Sequence, residues 1–158
     1  MDLSLIARIL HVLAVIIWIG GVGFVTLVLL PALRPQAGRA DWLEKFILLE
    51  NRFAWLARFA SLLAGLTGFY ILYDYDLWDR FAEPSFWWMY GMILVWALFS
   101  FILFIGEPLF LDDWLLARVA RDPVGTHRLV YRLHVVLLLL SLLVTAGAVA
   151  GNHGGHIF

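Results

Sequence analysis

The sequence predicts an all-α integral-membrane protein: a four-helix bundle with short interfacial helices in its first and third connections. Three observations carry that prediction. The chain has 158 residues, 63% hydrophobic and only 15% charged, with a mean hydropathy of +0.90. A soluble domain of this size has too little interior to hide so much apolar surface. Apolar runs recur at residues 9–30, 53–73, 86–106 and 129–151, close to the ~20 residues that a membrane-crossing helix needs. Finally, Lys and Arg alternate between the connections. Arg34, Arg39, Lys45 and Arg52, then Arg118, Arg121, Arg128 and Arg132, stand against Arg8 and Arg80 alone. Cytoplasmic loops collect positive charge. Both termini and the loop around Asp76 are therefore expected outside the cytoplasm, in a bacterial-type inner (plasma) membrane. The whole chain reads as one domain.

Composition also excludes several functions. The chain has no Cys, which removes disulfides, thiolate metal sites and a cysteine nucleophile. A net charge of -1 with no basic tail gives no reason to expect nucleic acid. The first apolar run lacks the short core and small-residue cleavage site of a signal peptide, and is expected to stay as a membrane span.

Each element has its own signature. The first run carries no charge between Arg8 and Arg34 and closes at Pro31 and Pro35, which cannot continue a regular helix. Ser4, Arg8, His11, Val15, Trp18 and Val22 share one of its faces at helical spacing. Gly20, Gly21 and Gly23 lie mid-span, where small residues admit a second helix or a flat ligand. Residues 41–50 are amphipathic, through Trp42, Phe46 and Leu49, and are expected to lie in the interface. The second run is uncharged only from Phe59, which draws Arg58 into the membrane. Arg58, Ser61, Gly65 and Gly68 make its small and polar face. The acidic loop Asp74, Asp76, Asp79 and Glu83 is flanked by Tyr70, Tyr73, Tyr75, Trp78, Trp87 and Trp88, an aromatic belt at a membrane surface. The third run closes at Glu107 and Pro108, and residues 109–121 read as a second interfacial helix. The fourth run carries a polar seam of His127, Tyr131, His134, Ser141, Thr145 and Asn152. Such a seam must face protein or water, because an unpaired polar group in hydrocarbon is costly.

Depth follows from ~1.5 Å of rise per residue. His11 lies ~10 Å from the midplane on the side of the termini, and His134 ~12 Å on the other side with Arg58 and Glu107. The histidines form two levels: His11, His153 and His156 at one, His127 and His134 at the other. Ionisable groups inside a membrane mark either a site or a buried pair. The plainer reading of Arg58 and Glu107 is a structural ion pair. For His11 it is one interhelical hydrogen bond, and for His153 and His156 a solvated tail.

The run from His11 through Trp18, Gly20 and Gly21 to Pro31 resembles the first helix of the copper resistance D-like membrane family, and is similar to the related HemJ-type protoporphyrinogen oxidases. The segment from Arg52 to Gly68 resembles that family's second helix, and Arg132-Leu133-His134 with the following leucines its last. The resemblance implies a four-helix membrane bundle with functional histidines, here His11 and His134. HemJ-type enzymes also use a lysine in a later helix, whereas Lys45, in a connection, is the one Lys here.

Three functions remain open. The first expectation is a haem b protein that transfers electrons in the membrane, since facing intramembrane imidazoles are the usual iron ligands of bundles. His11, Trp18, Gly21, His134, Arg58 and Glu107 are its candidate cofactor residues, Trp18 packing on the ring and the charged pair holding propionates or relaying protons. The alternative is a copper-binding or copper-translocating protein with His11, His153 and His156, and His134 at the other level, as ligands. Imidazole suits the oxidised ion, while the reduced ion favours Cys and Met, of which the chain has only Met1, Met89 and Met92. A HemJ-like oxidase belongs with these, and a bundle without cofactor, relaying protons along the fourth run, is the third. The lipid bilayer is the first partner, with a membrane or periplasmic redox protein and further copies of the chain as candidates. Whether the chain is an enzyme is left open.

Overall fold

The computed structural model describes residues 2–39 and 41–152, and among them the chain is helical with no strand. Four helical rods are long and apolar enough to cross a membrane: span 1, Leu3–Gln36; span 2, Asp41–Asp74; span 3, Pro84–Val119; and span 4, Pro123–Asn152. Asp2 caps span 1, its carboxylate accepting the Ser4 N–H at 3.1 Å. This satisfies one of the donors that a helix start leaves bare.

Spans 1 and 2 lie side by side along their length, spans 3 and 4 form the second pair, and the pairs meet through spans 1 and 4 and spans 2 and 3. The small stripe Ala54, Ala57, Ala60, Ser61, Ala64 and Gly65 on span 2 is buried and lets the backbones approach. One core cluster, with Trp18, Phe99, Leu138 and Val144, fills the middle of the bundle. A second, with Leu30, Trp42, Leu43, Phe46 and Val130, fills the end away from the termini. The large apolar residues facing outward, such as Phe59, Leu66, Leu94 and Leu139, are those expected to meet lipid.

The two amphipathic segments are helical, but neither is a separate helix. Residues 41–50 are the first turns of span 2, a single helix of 34 residues. No Gly or Pro interrupts it before Gly65, so nothing stops it at the interface. At ~1.5 Å per residue it is about 51 Å long, well beyond the ~30 Å hydrocarbon layer. Trp42, Leu43 and Phe46 in its overhang are buried under the end of span 1. Residues 109–121 likewise continue span 3 through the wider π-helical turns of Ile102–Leu111, which contain Pro108.

The seam expected of span 4 faces the bundle in part, with His127, Leu138 and Ser141 buried. The buried residues of the span are Thr126, His127, Val130, Leu138, Ser141, Val144 and Gly147, whereas Tyr131 and Asn152 face outward. The Ser141 hydroxyl donates to the Leu137 carbonyl at 2.8 Å, and Thr145 to Ser141 at 2.7 Å. These hydroxyls are satisfied by their own helix. Most of the polar contacts that join helices run along span 2, while span 4 meets span 1 through His127 and the His134 carbonyl.

Candidate functional site

Span 2 receives side chains from both neighbours. At its middle the Ser61 and Ser100 hydroxyls are 3.1 Å apart, and the Trp96 indole donates to the Ser61 carbonyl at 2.9 Å. At its far end the Ser4 hydroxyl of span 1 donates to the Asp74 carboxylate, which also accepts from Tyr70 at 3.2 Å. Between these levels lies His11.

The His11 ring lies across span 2, with Nδ1 2.9 Å from the Ala64 carbonyl and 3.2 Å from the Thr67 hydroxyl. A carbonyl only accepts, so Nδ1 carries the proton and Nε2 keeps its lone pair. Among the described residues Nε2 has no hydrogen-bond partner. Gly68 makes the seat: a Cβ there would stand 3.1 Å from His11 Cε1. In the sequence Thr67 stands out only inside the family-like segment that ends at Gly68, and Ala64 does not stand out. Both neighbour the Gly65 and Gly68 face.

Of the two purposes expected of the span 1 glycines, Gly21 serves the approach of a second helix and not a flat ligand. A Cβ at Gly21 would collide with the Phe53 ring, and Gly20 has nothing within 4 Å. Gly21 therefore holds no space for a flat ligand, because an aromatic ring of this chain already fills it. Gly65 is filled in the same way by the Trp96 indole, at 2.7 Å. Trp18 is a core residue, 4% exposed, packed edge-on against Phe99 with centroids 5.0 Å apart. Its Nε1, like those of Trp42 and Trp88, is buried with no acceptor among the described residues.

Arg58 and Glu107 form an ion pair, Nη2 to Oε2 3.0 Å, and the Arg58 Nε donates to the Leu103 carbonyl at 2.8 Å. Span 3 explains the second bond. In an i→i+5 helix the partner of the Leu103 carbonyl is residue 108, and Pro108 has no N–H. Arg58 supplies the missing donor. Span 1 repeats the device. It passes through π-helical turns at Val25–Leu29, and Arg34 N–H closes a tighter bond to Pro31. The next donor in line for the Leu30 carbonyl is residue 35, again a proline. His127 fills that place, its Nε2 3.0 Å from the Leu30 oxygen, and Trp42 packs edge-on at 5.0 Å.

His134 belongs to this end of the bundle. Its Nδ1 is 2.9 Å from the Val130 carbonyl of its own helix, its ring meets Phe46 at 5.9 Å, and Thr26 reaches its backbone oxygen at 3.5 Å. It and the Arg58–Glu107 pair keep separate hydrogen-bond partners. Fifteen positions of span 1 separate His11 from Thr26, roughly 22 Å along a helix. His11 and His134 thus occupy two levels and do not converge on one ion. No group of three His, Asp or Glu able to hold a metal exists among the described residues. His153 and His156 lie outside the described residues.

Comparison with known proteins finds no matching family model, no matching curated protein and no matching solved structure.

Proposed function

We propose that the chain is a multi-pass membrane protein whose His11 ligates a redox centre, haem b in preference to copper, and that it transfers electrons in the bilayer. The observation behind this reading is the His11 imidazole, with one nitrogen committed to the Ala64 carbonyl and the other bare. A hydrogen bond from the other ring nitrogen fixes the tautomer and aim of a metal-ligating histidine. Ligand number favours haem. A porphyrin brings four nitrogens to its iron, so one imidazole completes a five-coordinate centre. A copper ion held by protein needs several side chains, and no group of three His, Asp or Glu stands together among the described residues. The space beside Gly21 and Gly65 does not fit a porphyrin, so the ring belongs at the half-exposed rim of spans 1 and 2 where His11 sits. There haem would supply one-electron chemistry. The chain's part is to hold the iron through His11, to orient that ring through Ala64 and Thr67, and to keep water away with apolar walls.

The test is the visible spectrum and metal content of purified protein beside the His11→Ala variant. A Soret band at one haem per chain is expected, reduced at least tenfold by the substitution. A wild-type protein without haem that loses copper on the same substitution would instead support the copper reading. An unchanged Soret band in the variant would remove His11 as the ligand. The termini and the Asp76 loop lie outside the cytoplasm under this reading, which the positive-charge asymmetry supports.

A further inference from the structure

Span 4 contains no Asp or Glu, and near its start it carries Arg128 and Arg132. Both are exposed. The 20 residues that follow, 133–152, include no Asp, Glu, Lys or Arg. At ~1.5 Å per residue they match the ~30 Å hydrocarbon layer. Arg132 therefore stands at the edge of the hydrocarbon and Arg128 one turn outside it, at the level of the lipid headgroups. Other cations at this end of the bundle have partners within the chain. Arg39 and Lys45 share Asp41, Arg58 holds Glu107, and Arg118 lies over the Trp114 ring at 5.7 Å. Arg128 and Arg132 have no hydrogen bond, ion pair or ring contact among the described residues. Asp122, just before the span, spends its carboxylate on the Gly125 N–H at 2.8 Å. Arg34, Arg52 and Arg121 are unpaired too, but each stands on a different stretch of the chain.

Two like charges four residues apart on a helix are neighbours and repel. An anion between them turns that repulsion into two charge-assisted contacts, and the planar fork of each guanidinium fits a phosphate. The face they share continues into the membrane. Val136, Leu139 and Leu143 follow Arg132 at steps of four, three and four, and all three are exposed. A free phosphate or a soluble acidic protein leaves that apolar stripe uncovered, whereas a diacyl lipid covers it with its chains while its phosphate sits at the arginines. A zwitterionic head would bring an ammonium group to a place with two cations and no free carboxylate on the span. The geometry points to a binding site for an anionic diacyl phospholipid, its phosphodiester shared by Arg128 and Arg132 and an acyl chain lying along Val136, Leu139 and Leu143. Charge asymmetry alone asks for cations on this side of the membrane, not for a preference among lipids. The site is separate from the His11 level and does not depend on a redox centre there.

The experiment offers the full chain, in detergent micelles, equal amounts of phosphatidylglycerol and phosphatidylethanolamine, and counts the retained lipids by native mass spectrometry. Phosphatidylglycerol is expected in roughly tenfold excess, the worth of one hydrogen bond between charged groups. Arg128→Gln with Arg132→Gln should bring the two lipids close to parity. Both side chains are exposed and make no contact that holds the bundle, so this variant should melt with the wild type in lipid-free detergent. Arg34→Gln with Arg52→Gln removes the same charge elsewhere and should leave the excess intact. Inorganic phosphate should not displace the bound lipid, because it gains nothing from the apolar stripe. Four results would each overturn the inference: equal retention of both lipids by the wild type, an excess that survives loss of Arg128 and Arg132, an equal loss in the Arg34 and Arg52 variant, or displacement by inorganic phosphate.

Discussion

Three imidazoles among the described residues each give one ring nitrogen to a backbone carbonyl, and what each carbonyl belongs to separates them. His127 spends Nε2, the far nitrogen, on another helix, so its substitution acts on stability. His127→Phe keeps a ring against Trp42 but leaves the Leu30 carbonyl without a donor. It should cost about 1–3 kcal/mol, seen as a lower thermal midpoint in detergent with any bound chromophore unchanged. His11 and His134 spend Nδ1 and keep Nε2, the form in which a histidine can still ligate. A second prediction concerns Gly21. Gly21→Leu must push Phe53 aside and should destabilise by about 1–3 kcal/mol, with Phe53→Ala in the same chain recovering part of the loss. Equal melting of Gly21→Leu and wild type would show that Phe53 does not fill that space. The depth of His11 and Trp18 was legible in the sequence, because both sit inside a run without charge. Their partners were not. Whether Gly21 faces a ligand or Phe53 depends on the rotation of span 2 against span 1, and periodicity within one helix carries no information on that.

At the scale of the element, the prolines near the ends of spans 1 and 3 govern more than termination. Pro35 and Pro108 each remove a donor, and a side chain from a neighbouring helix serves the carbonyl left over, His127 at Leu30 and Arg58 at Leu103. The sequence marked Pro31, Pro35 and Pro108 as stops. It could not show that the helix would continue past Pro108, since that depends on Arg58 arriving from span 2. Arg58→Ala removes both the donor for Leu103 and the partner of Glu107, and should cost about 3 kcal/mol, the range for breaking a buried pair. Glu107→Gln combined with Arg58→Ala should cost less than Arg58→Ala alone, because no carboxylate is then stranded. Pro108→Ala should also blunt the effect, by restoring an N–H on span 3. Thermal midpoints of these variants form double-mutant cycles, and additive values would show that Arg58 serves neither group. The interfacial helices failed as separate elements for a related reason. Amphipathic spacing marks a buried face but not a break, and the sequence from 41 to 64 contains no residue that would make one.

At the scale of the molecule, the four-helix bundle was legible almost entirely, because in a bilayer the backbone must satisfy its own hydrogen bonds and long apolar runs have little choice but helix. Orientation is a separate matter, set by charge. The basic residues gather where span 1 ends and span 2 begins and again between spans 3 and 4, while the acidic loop Asp74, Asp76 and Asp79 lies at the other end with Asp2. The overhanging turns of span 2 bring Lys45 to the basic end beside Arg39 of the connection, and both pair with Asp41 at 3.1–3.2 Å. These exposed pairs contribute little to stability, so the charges remain free to set topology. A reporter active only in the cytoplasm should be silent when fused after Asp76 and active when fused after Arg121, with the reverse pattern for a reporter that needs the periplasm. Replacing Arg118, Arg121, Arg128 and Arg132 by Gln leaves four positive charges against two, and should produce a mixed population in both assays. If the wild type gives the opposite pattern, the termini and the His11 level face the cytoplasm, and the redox partner of His11 must be sought on that side.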